Sequence, residues 1–444
     1  MRTRDRFWSS FRIIELVLQL ALARVAVGQS DGVATSFAGS GLGATYDGIG
    51  LNSGFQPPND VAATREFSAL YLTEPTGARI RKVDLETGAC ARSRTFCARI
   101  RKVDLETELV TTVAGSKKDG SAEDATGTNA SFAKPLGLTL SSDNLMLYVT
   151  DAKWYNHKIR SVNTATQEVL TLAGTTSGNL DATGTFARFN NPNGITIDFL
   201  AETLYVADTD NHKIRKVVIA TGAVTTLCGD PSFAGDVVPN NYGSVDGTGT
   251  DAMFYSPLGL VYGWDSERDL KVLFVADTGN NLIRRVTLSR RTYDPFAVVE
   301  TFAGSGAAGF RDSFGADAEF SAPAGIAITS DNQELFVTDR DNHVIRRVNV
   351  QTARVSTLAG GTLGAEDGTG TAAQFNQLVG VSVTREDTRV YVSDTANYNV
   401  RQVTHGAPTP LPGRLTKGVG GCHPCGRKRA CATRWDDGGL AFVG

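Results

Sequence analysis

The sequence predicts an all-β ring of repeated units, and two observations support this. A short pattern, Asp-x-x-Gly-x-x-(Ala/Ser)-x-Phe, recurs six times with fixed spacing along the 444 residues. Each copy leads into a segment that contains short runs rich in Val, Ile, Leu, Thr and Tyr, separated by turn residues, as hairpin-linked strands require. Four such strands per unit, repeated around an axis, form a β-propeller. Six units therefore predict a six-bladed β-propeller with four-stranded antiparallel blades.

The repeated pattern opens each unit with an aspartate and places a phenylalanine eight residues later. The aspartates are Asp47, Asp124, Asp181, Asp246, Asp312 and Asp367. The phenylalanines are Phe55, Phe132, Phe189, Phe254, Phe320 and Phe375. Because these residues recur in every unit, we expect structural roles for them. The glycines suit tight turns, the aspartates suit caps of those turns, and the phenylalanines suit the core between blades.

The strand segment is clearest over residues 192 to 229, where the strands are GITID, TLYVAD, HKIRKV and AVTTLCG. Its phrases P-x-G-I, L-Y-V-A-D, N-H-x-I-R-x-V and V-x-T-L-A-G recur in order between residues 33 and 406. In these phrases the chain resembles the NHL repeat-containing family. The resemblance implies a propeller of four-stranded blades, one blade per repeat.

An arginine recurs in the third strand, on the same strand face as a valine two residues later. A buried guanidinium needs an acidic partner. We therefore expect each arginine to be buried and to contact an aspartate of the V-x-D or the D-x-x-G phrase. These arginines are Arg160, Arg215, Arg284, Arg346 and Arg401.

The sixth unit stops after its third strand, and the missing strand has a candidate near the start of the chain. Residues 33 to 39, VATSFAG, match the fourth-strand phrase. We predict that they pair beside the strand from Tyr398 to Val403 and close the ring, which removes an exposed sheet edge. The propeller then covers residues 29 to 406.

The first unit carries an internal duplication. The sequence ARIRKVDLET occupies residues 78 to 87 and again 98 to 107, so that residues 78–107 contain a duplicated insertion, real or a gene-model error. We expect a surface loop, because long surface insertions cost little closure entropy. Cys90 and Cys97 lie in it. In an oxidised compartment they are a candidate disulfide, and two free thiols are the alternative.

The two ends of the chain differ from the repeats. Residues 1–28 combine several arginines with a short apolar stretch that ends in small residues, which predicts a signal peptide and a secreted protein; an amphipathic leader is the alternative. Residues 407–444 combine a Pro/Gly-rich linker with a tail that contains Cys422, Cys425 and Cys431, which predicts either a disordered segment or a truncated disulfide-rich module rather than a four-ligand zinc site. Asn129 begins a glycosylation sequon.

The face on which function is expected carries two sets of loops. The connections from the fourth strand to the next blade, and from the second strand to the third, emerge together in a propeller. A two-residue insertion brings Trp154 and Tyr155 onto this face, where they anchor a partner or fold back onto a neighbouring loop. Candidate partner-binding residues in equivalent turns are His157, Asp208, His212 and His343. The three histidines belong to different blades, which argues against a shared metal.

Three functions remain as hypotheses. The first is a monomeric scaffold that binds a protein, peptide or glycan. The second is a propeller hydrolase or lyase, but the positions where such enzymes carry ligands hold glycines, with Asp60 as the one acid. The third, NHL-type RNA binding, needs a basic face, whereas the formal net charge is −3. The sequence therefore predicts no catalytic residue, cofactor or metal, and no nucleic-acid partner. The glycines at the positions where propeller enzymes carry their ligands are Gly137, Gly194, Gly259, Gly325 and Gly380.

Overall fold

The computed structural model describes residues 31–43, 45–65, 68–75, 80–83, 90–93, 98–115, 122–153, 156–229, 242–266, 268–288 and 297–406. These residues form six antiparallel sheets, one per repeat, as predicted. The predicted signal peptide, the cysteine-containing tail, Trp154, Tyr155, Cys97 and the side chain of Cys90 lie outside the described part. No described helix is long and apolar enough to cross a membrane.

Each blade consists of four main strands that lie side by side from the axis outward, in chain order in blades one to five. Blade one contains Val61–Ala63, Ala69–Glu74, Arg99–Asp104 and Leu109–Ala114. Blade two contains Pro135–Leu140, Met146–Lys153, Asn156–Asn163 and Glu168–Thr175. Blade three contains Pro192–Ile197, Thr203–Asp208, Lys213–Val218 and Ala223–Cys228.

The remaining three blades repeat this arrangement. Blade four contains Leu260–Asp265, Leu270–Asp277, Leu282–Thr287 and Val298–Ala303. Blade five contains Pro323–Ile328, Glu334–Asp339, Val344–Asn349 and Val355–Gly360. Blade six contains Leu378–Val383, Arg389–Asp394, Asn399–Thr404 and, as its fourth strand, Val33–Ala38.

Four blades have a fifth, two-residue strand that the sequence did not predict. The loop that follows each repeated aspartate runs along the outer edge of the blade it enters and pairs with the fourth strand there. In blades three and five the contact is a single bridge, Thr183 to Ala223 and Phe314 to Arg354. Each outer edge is therefore partly covered, which protects it from pairing with other chains. The short strands are Gly48–Ile49, Ala125–Thr126, Gly247–Thr248 and Gly368–Thr369.

Short segments complete the described secondary structure. Thr362–Leu363 pairs in parallel with Gln374–Phe375. Single 3-10 turns follow the repeated aspartates, at Gly50–Asn52, Gly127–Asn129, Gly184–Phe186, Gly249–Asp251, Gly315–Asp317 and Gly370–Ala372. A second set joins the second and third strands of blades three to six, at Thr209–Asn211, Thr278–Asn280, Arg340–Asn342 and Thr395–Asn397.

The N-terminal strand closes the ring, which confirms the prediction. Val33–Ala38 pairs with the third strand of blade six, with Ala34 opposite Val403 and Ser36 opposite Arg401. On its other side it pairs with Gly368–Thr369. The backbone N–H of Gly32 donates to the carbonyl of Thr404 at 2.9 Å. Blade six is therefore built from both ends of the propeller.

Of the two duplicated copies, the second is part of blade one. Its residues Arg99–Asp104 pair with Ala69–Glu74 and with Leu109–Ala114. The first copy supplies Ile80–Val83, which pairs with Cys90–Ser93 in a separate two-stranded hairpin. The duplication is accommodated outside the blade, because the second copy alone provides the third strand.

The repeated arginines are fully buried and paired, as predicted, and each contacts two acids. In blade three Arg215 binds Asp208 at 2.7 Å and Asp181 at 2.5 Å. The same Asp181 also accepts from the backbone N–H and the hydroxyl of Thr226 in the fourth strand. The repeated aspartates therefore tie the entering loop to two strands, instead of capping their own turns. Equivalent pairs occur at Arg101, Arg160, Arg284, Arg346 and Arg401.

The repeated phenylalanines lie beneath these arginines and fill the cores between blades, as predicted. Phe189 is fully buried, and the guanidinium carbon of Arg215 lies 5.1 Å from its ring centroid. Six apolar clusters, each shared by two neighbouring blades, form the core. Stability therefore comes from interfaces between neighbours, as expected for a repeat protein.

Candidate functional site

The loops of the propeller gather on one face, which we call the loop-rich face. It contains the turns between second and third strands and the loops that lead to the repeated aspartates. Asn211 links them in blade three, because its Nδ2 donates to the carbonyl of Gly178 and to Asp208. Asn280, Asn342 and Asn397 make the same two contacts in blades four to six. The predicted grouping of these loops is confirmed, and hydrogen bonds join the two sets of loops in blades three to six.

Two of the three histidines of this face, His157 and His212, join neighbouring blades. The Nδ1 atom of His157 accepts a hydrogen bond from the backbone N–H of Asn191 at 2.9 Å. His212 contacts Ser256 N in the same way at 3.0 Å, and burial lowers its pKa, which keeps the ring neutral and able to accept. His343 occupies the same repeat position, half-buried, with a left-handed backbone at φ 54°.

Asp208, a predicted partner contact, is wholly buried, so this prediction is wrong for the folded blade. Its carboxylate accepts from Asn190 N, from Asn211 Nδ2 and from Arg215. It ends the second strand, where the alternating side chains point into the packed blade. The sequence pattern located the turn correctly, but not the direction of this side chain.

The inner strands pack closely around the axis. A Cβ atom added to Gly137 would lie 2.2 Å from the carbonyl oxygen of Asn193, and one added to Gly325 would lie 2.1 Å from that of Val379. Real Cβ atoms do not approach so closely, so these positions require glycine. The inner ring is thus formed by backbone in close contact with backbone.

Asp60 replaces the glycine in blade one and bridges to blade two. Its Oδ1 accepts from Val61 N, and its Oδ2 accepts from Leu138 N, both at 2.9 Å. Burial raises its pKa to about 7, against the lowering effect of those two hydrogen bonds. Both oxygens are engaged by backbone donors, so the carboxyl acts as a joint between the blades. In the described part of the chain no cluster of three His, Cys, Asp or Glu side chains could hold a metal.

A pocket of about 370 Å³ opens on the loop-rich face where blades one, two and three meet. Its lining combines two lysines, one histidine and one aspartate with small apolar and amide groups. Burial lowers the pKa of Lys134; Asp210 opposes this shift, and the positive charge of Lys153 adds to it. The lining residues are Pro75, Lys134, Ala152, Lys153, His157, Asn191 and Asp210.

Beside the pocket, across the turn that carries Asp210, lies an aromatic patch formed by His212, Tyr242 and Tyr255. The two tyrosine rings stack at 4.5 Å between centroids, and both meet His212 edge-on at 5.6 Å. Tyr242 and Tyr255 remain 43% and 38% exposed. Gly279 makes room for the patch, because a Cβ there would lie 2.4 Å from the Tyr255 ring.

The two tyrosines and two lysines were missed in the sequence, although signals were present. Tyr255 directly follows the repeated phenylalanine, where no other blade has an aromatic residue. Lys134 directly precedes Pro135, and Lys153 lies beside the two-residue insertion of blade two. Each of these residues differs from its counterparts in the other blades. Residues that differ between blades are candidates for a local function, whereas residues that recur in every blade maintain the shared structure. Of the predicted contacts, His157 lines the pocket and His212 supports the patch.

Curated relatives share the repeats over much of this chain. The chain is 30% identical over 297 residues to the chloroplastic Protein SUPPRESSOR OF QUENCHING 1 of Arabidopsis thaliana, which covers 64% of this chain and 26% of that protein. It is 29% identical over 339 residues to the human NHL repeat-containing protein 2, covering 70% and 41%. The chain therefore spans between a quarter and two fifths of these relatives. No family model matches it.

Solved structures share the fold at low sequence identity. An auxiliary nutrient binding protein from Bacteroides thetaiotaomicron superposes with a TM-score of 0.58 at 17% identity, covering 85% of this chain and 77% of that one. A putative phosphatase from the same species gives a TM-score of 0.56 at 12% identity, covering 85% and 79%. Their descriptions name a binding protein and an enzyme, so the shared architecture does not determine the function.

Proposed function

We propose that this chain, a member of the NHL repeat-containing family, is a secreted scaffold that binds a protein, peptide or glycan partner through its loop-rich face. The observation that carries the proposal is the aromatic patch of His212, Tyr242 and Tyr255. The two tyrosines stack and remain partly exposed, so they form an apolar patch on the loop-rich face. Exposed apolar patches of this kind mark interaction sites in globular domains. The Bacteroides nutrient binding protein supports the general idea that this architecture presents binding sites.

The patch is already ordered before any partner arrives. Tyr255 N donates to Asp277 at 2.8 Å, and the Tyr255 carbonyl accepts from Gly279 N at 2.8 Å. Asn280 Nδ2 donates to the carbonyl of Gly243, the residue that follows Tyr242, and so holds the Tyr242 side of the patch. Because these side chains need little further ordering, more of the contact energy is retained on binding. A buried tyrosine anchor at an interface contributes about 2 kcal/mol or more.

The secretory part of the proposal is supported by the leader sequence and by the sequon. Asn129 is exposed at the end of the 3-10 turn Gly127–Asn129, where a glycan has room. Expression of the full chain in cultured eukaryotic cells tests this part. We expect the protein in the medium with an N-terminus near residue 29. Retention of the uncleaved chain inside the cell would contradict secretion.

Binding is tested with the purified full chain on arrays of glycans and of peptides. We expect reproducible ligands that lose at least tenfold in affinity with Tyr242→Ala/Tyr255→Ala. The matched control is Leu200→Ala, because Leu200 is 66% exposed in the turn between first and second strands, on the opposite face. An equal loss with Leu200→Ala, or unchanged binding by the tyrosine variant, would refute the proposal, as would arrays without any reproducible ligand.

A further inference from the structure

A buried histidine lies beside the seam, the contact between Val33–Ala38 and Asn399–Thr404 that closes the ring. His405 directly follows the second of these strands, and its backbone N–H donates to the carbonyl of Thr388 at 2.8 Å. Its side chain is only 1% exposed. The ring packs edge-on against Phe336 of blade five, with 4.9 Å between centroids. His405 is therefore held between blades five and six.

Two carboxylates from distant parts of the chain face the two nitrogens of this ring. The Nε2 atom lies 2.9 Å from Oε2 of Glu334, at the start of the second strand of blade five. The Nδ1 atom lies 3.5 Å from Oδ1 of Asp31, which precedes the closing strand. Neutral imidazole has one N–H, whereas the protonated ring has two, so only the protonated ring pairs with both acids. Backbone bonds join the closing strand to blade six, and protonated His405 adds a link to blade five.

Three further charged side chains face this cluster. Arg347 of blade five binds Asp31 at 3.2 Å. Asp387 of blade six is buried, which raises its pKa, and the positive charge of His405 opposes that rise. The negative charge of Asp331 adds to it. A neutral His405 would leave one guanidinium to balance the four carboxyl groups of this cluster, so the surroundings favour the protonated ring.

We propose that His405 is a pH-sensitive latch, which holds the ring closed while its protonated side chain bridges Asp31 and Glu334. Loss of a proton removes the positive charge and one of the two N–H groups, so one carboxylate loses its partner. The closing strand then keeps its backbone pairing with blade six but loses its link to blade five. This latch lies on the face opposite the loop-rich face and needs no partner, so it goes beyond the proposed scaffold function.

The latch should weaken as pH rises across neutrality. Burial by itself lowers the pKa of His405, but Asp31 and Glu334 outweigh it and raise that pKa to about 9. In the opened ring the histidine returns to its ordinary value of about 6.5. A group whose pKa is raised in the closed state stabilises that state fully below the lower value and loses this effect as pH rises through the higher one. The equilibrium constant for opening should therefore increase by up to about 300-fold between pH 6.5 and pH 9.

Native-state hydrogen exchange of the full chain at pH 6.5 and pH 9, corrected for intrinsic exchange rates, tests the latch. The amides of Val33–Ala38 report opening of the seam. The fourth strand of blade three, Ala223–Cys228, is the internal control, because it follows its neighbour directly in the chain. Other titrating groups that affect the whole ring act on both strands. We expect protection of the closing strand to fall at least tenfold more than protection of the control strand. Equal changes in the two strands would overturn the inference.

Two substitutions assign the effect to the ion pairs. His405→Gln keeps a hydrogen-bond donor without the charge, so its closing strand should already exchange at pH 6.5 as that of the unchanged chain does at pH 9. Glu334→Gln should lower the pKa of His405 in an NMR titration of the histidine ring signals, which also identifies the His405 signal. Glu202→Gln is the matched control, because Glu202 is exposed in blade three. It should change neither measurement.

The titration of the unchanged chain decides the question even where His405→Gln does not fold. Retained protection of Ala223–Cys228 shows that a variant is folded. A pKa of His405 at or below about 6.5 in the unchanged chain would overturn the inference. So would a folded His405→Gln chain whose closing strand is as well protected at pH 6.5 as that of the unchanged chain.

Discussion

Replacement of Arg284 by methionine should cost blade four about 3–5 kcal/mol of stability, the range for breaking a buried ion pair from one side. The guanidinium has no exposed surface and contacts Asp277 at 2.9 Å and Asp246 at 2.7 Å. It also donates to the carbonyls of Met253 and Val245. Methionine fills similar volume above Phe254, so the loss comes mainly from the uncompensated carboxylate of Asp277, which is fully buried.

The penalty should depend on pH. Burial raises the pKa of Asp277 to about 6 even with Arg284 present. The folded chain therefore holds the proton of Asp277 more tightly than the unfolded chain does. The contribution of Asp277 to the free energy of unfolding consequently decreases as pH rises from about 4 to 6. Without Arg284 the folded pKa rises further, so the decrease extends to higher pH. The variant should therefore lose more stability at pH 8 than at pH 5.

Urea unfolding of the full chain at both pH values measures this effect. Arg268→Met is the control in the same blade, since Arg268 is 52% exposed and pairs with Glu300, which is 39% exposed. Such a surface pair contributes at most about 1 kcal/mol. Equal losses for the two variants, or an Arg284→Met penalty that is the same at pH 5 and pH 8, would refute the assignment of the buried pair.

Three further predictions follow from the ring and the sequon. The folded-state pKa of Asp60 is about 7, against 3.8 in the unfolded chain, so unfolding free energy should fall between about pH 4 and 7 by at most about 4 kcal/mol; Asp60→Asn should abolish this fall in urea titrations. Ala34→Asp places a charge in the buried closing strand and should open the ring in size-exclusion chromatography, whereas Thr35→Asp, exposed on the other face, should not. Enzymatic removal of N-glycans should shift the secreted chain on a gel, and Asn129→Gln should remove that shift.

The shared features of the blades could be predicted because they recur. Six copies reveal that Arg215 and its equivalents need partners, and that the sixth blade needs a strand from elsewhere. The fifth strands could not be predicted, because their pairing depends on how each loop crosses the blade edge. The choice between identical copies at 78–87 and 98–107 also depends on the fold, since both fit the same strand.

The candidate sites could be predicted only in part. Histidine was noticed because it recurs, but the bond from His212 to Ser256 N depends on the spacing between neighbouring blades. The pocket is lined by residues from three blades, a grouping that no local sequence pattern reports. Tyr242 and Tyr255 are 13 residues apart in one connection and stack because it folds back on itself, with Gly243 N donating to the carbonyl of Phe254, so the sequence spacing alone does not reveal their contact.

The closing strand also determines how the ring responds to force. Asp31 and Gly406 lie at the same end of the ladder between Val33–Ala38 and Asn399–Thr404, and Gly406 N donates to the Asp31 carboxylate at 3.3 Å. Tension applied through the two ends would load the hydrogen bonds of this ladder one after another, as in a zipper, instead of all together in shear. A propeller pulled from both ends would therefore open at blade six first, at low force. One held through its loop-rich face and one end would not load this ladder in that way.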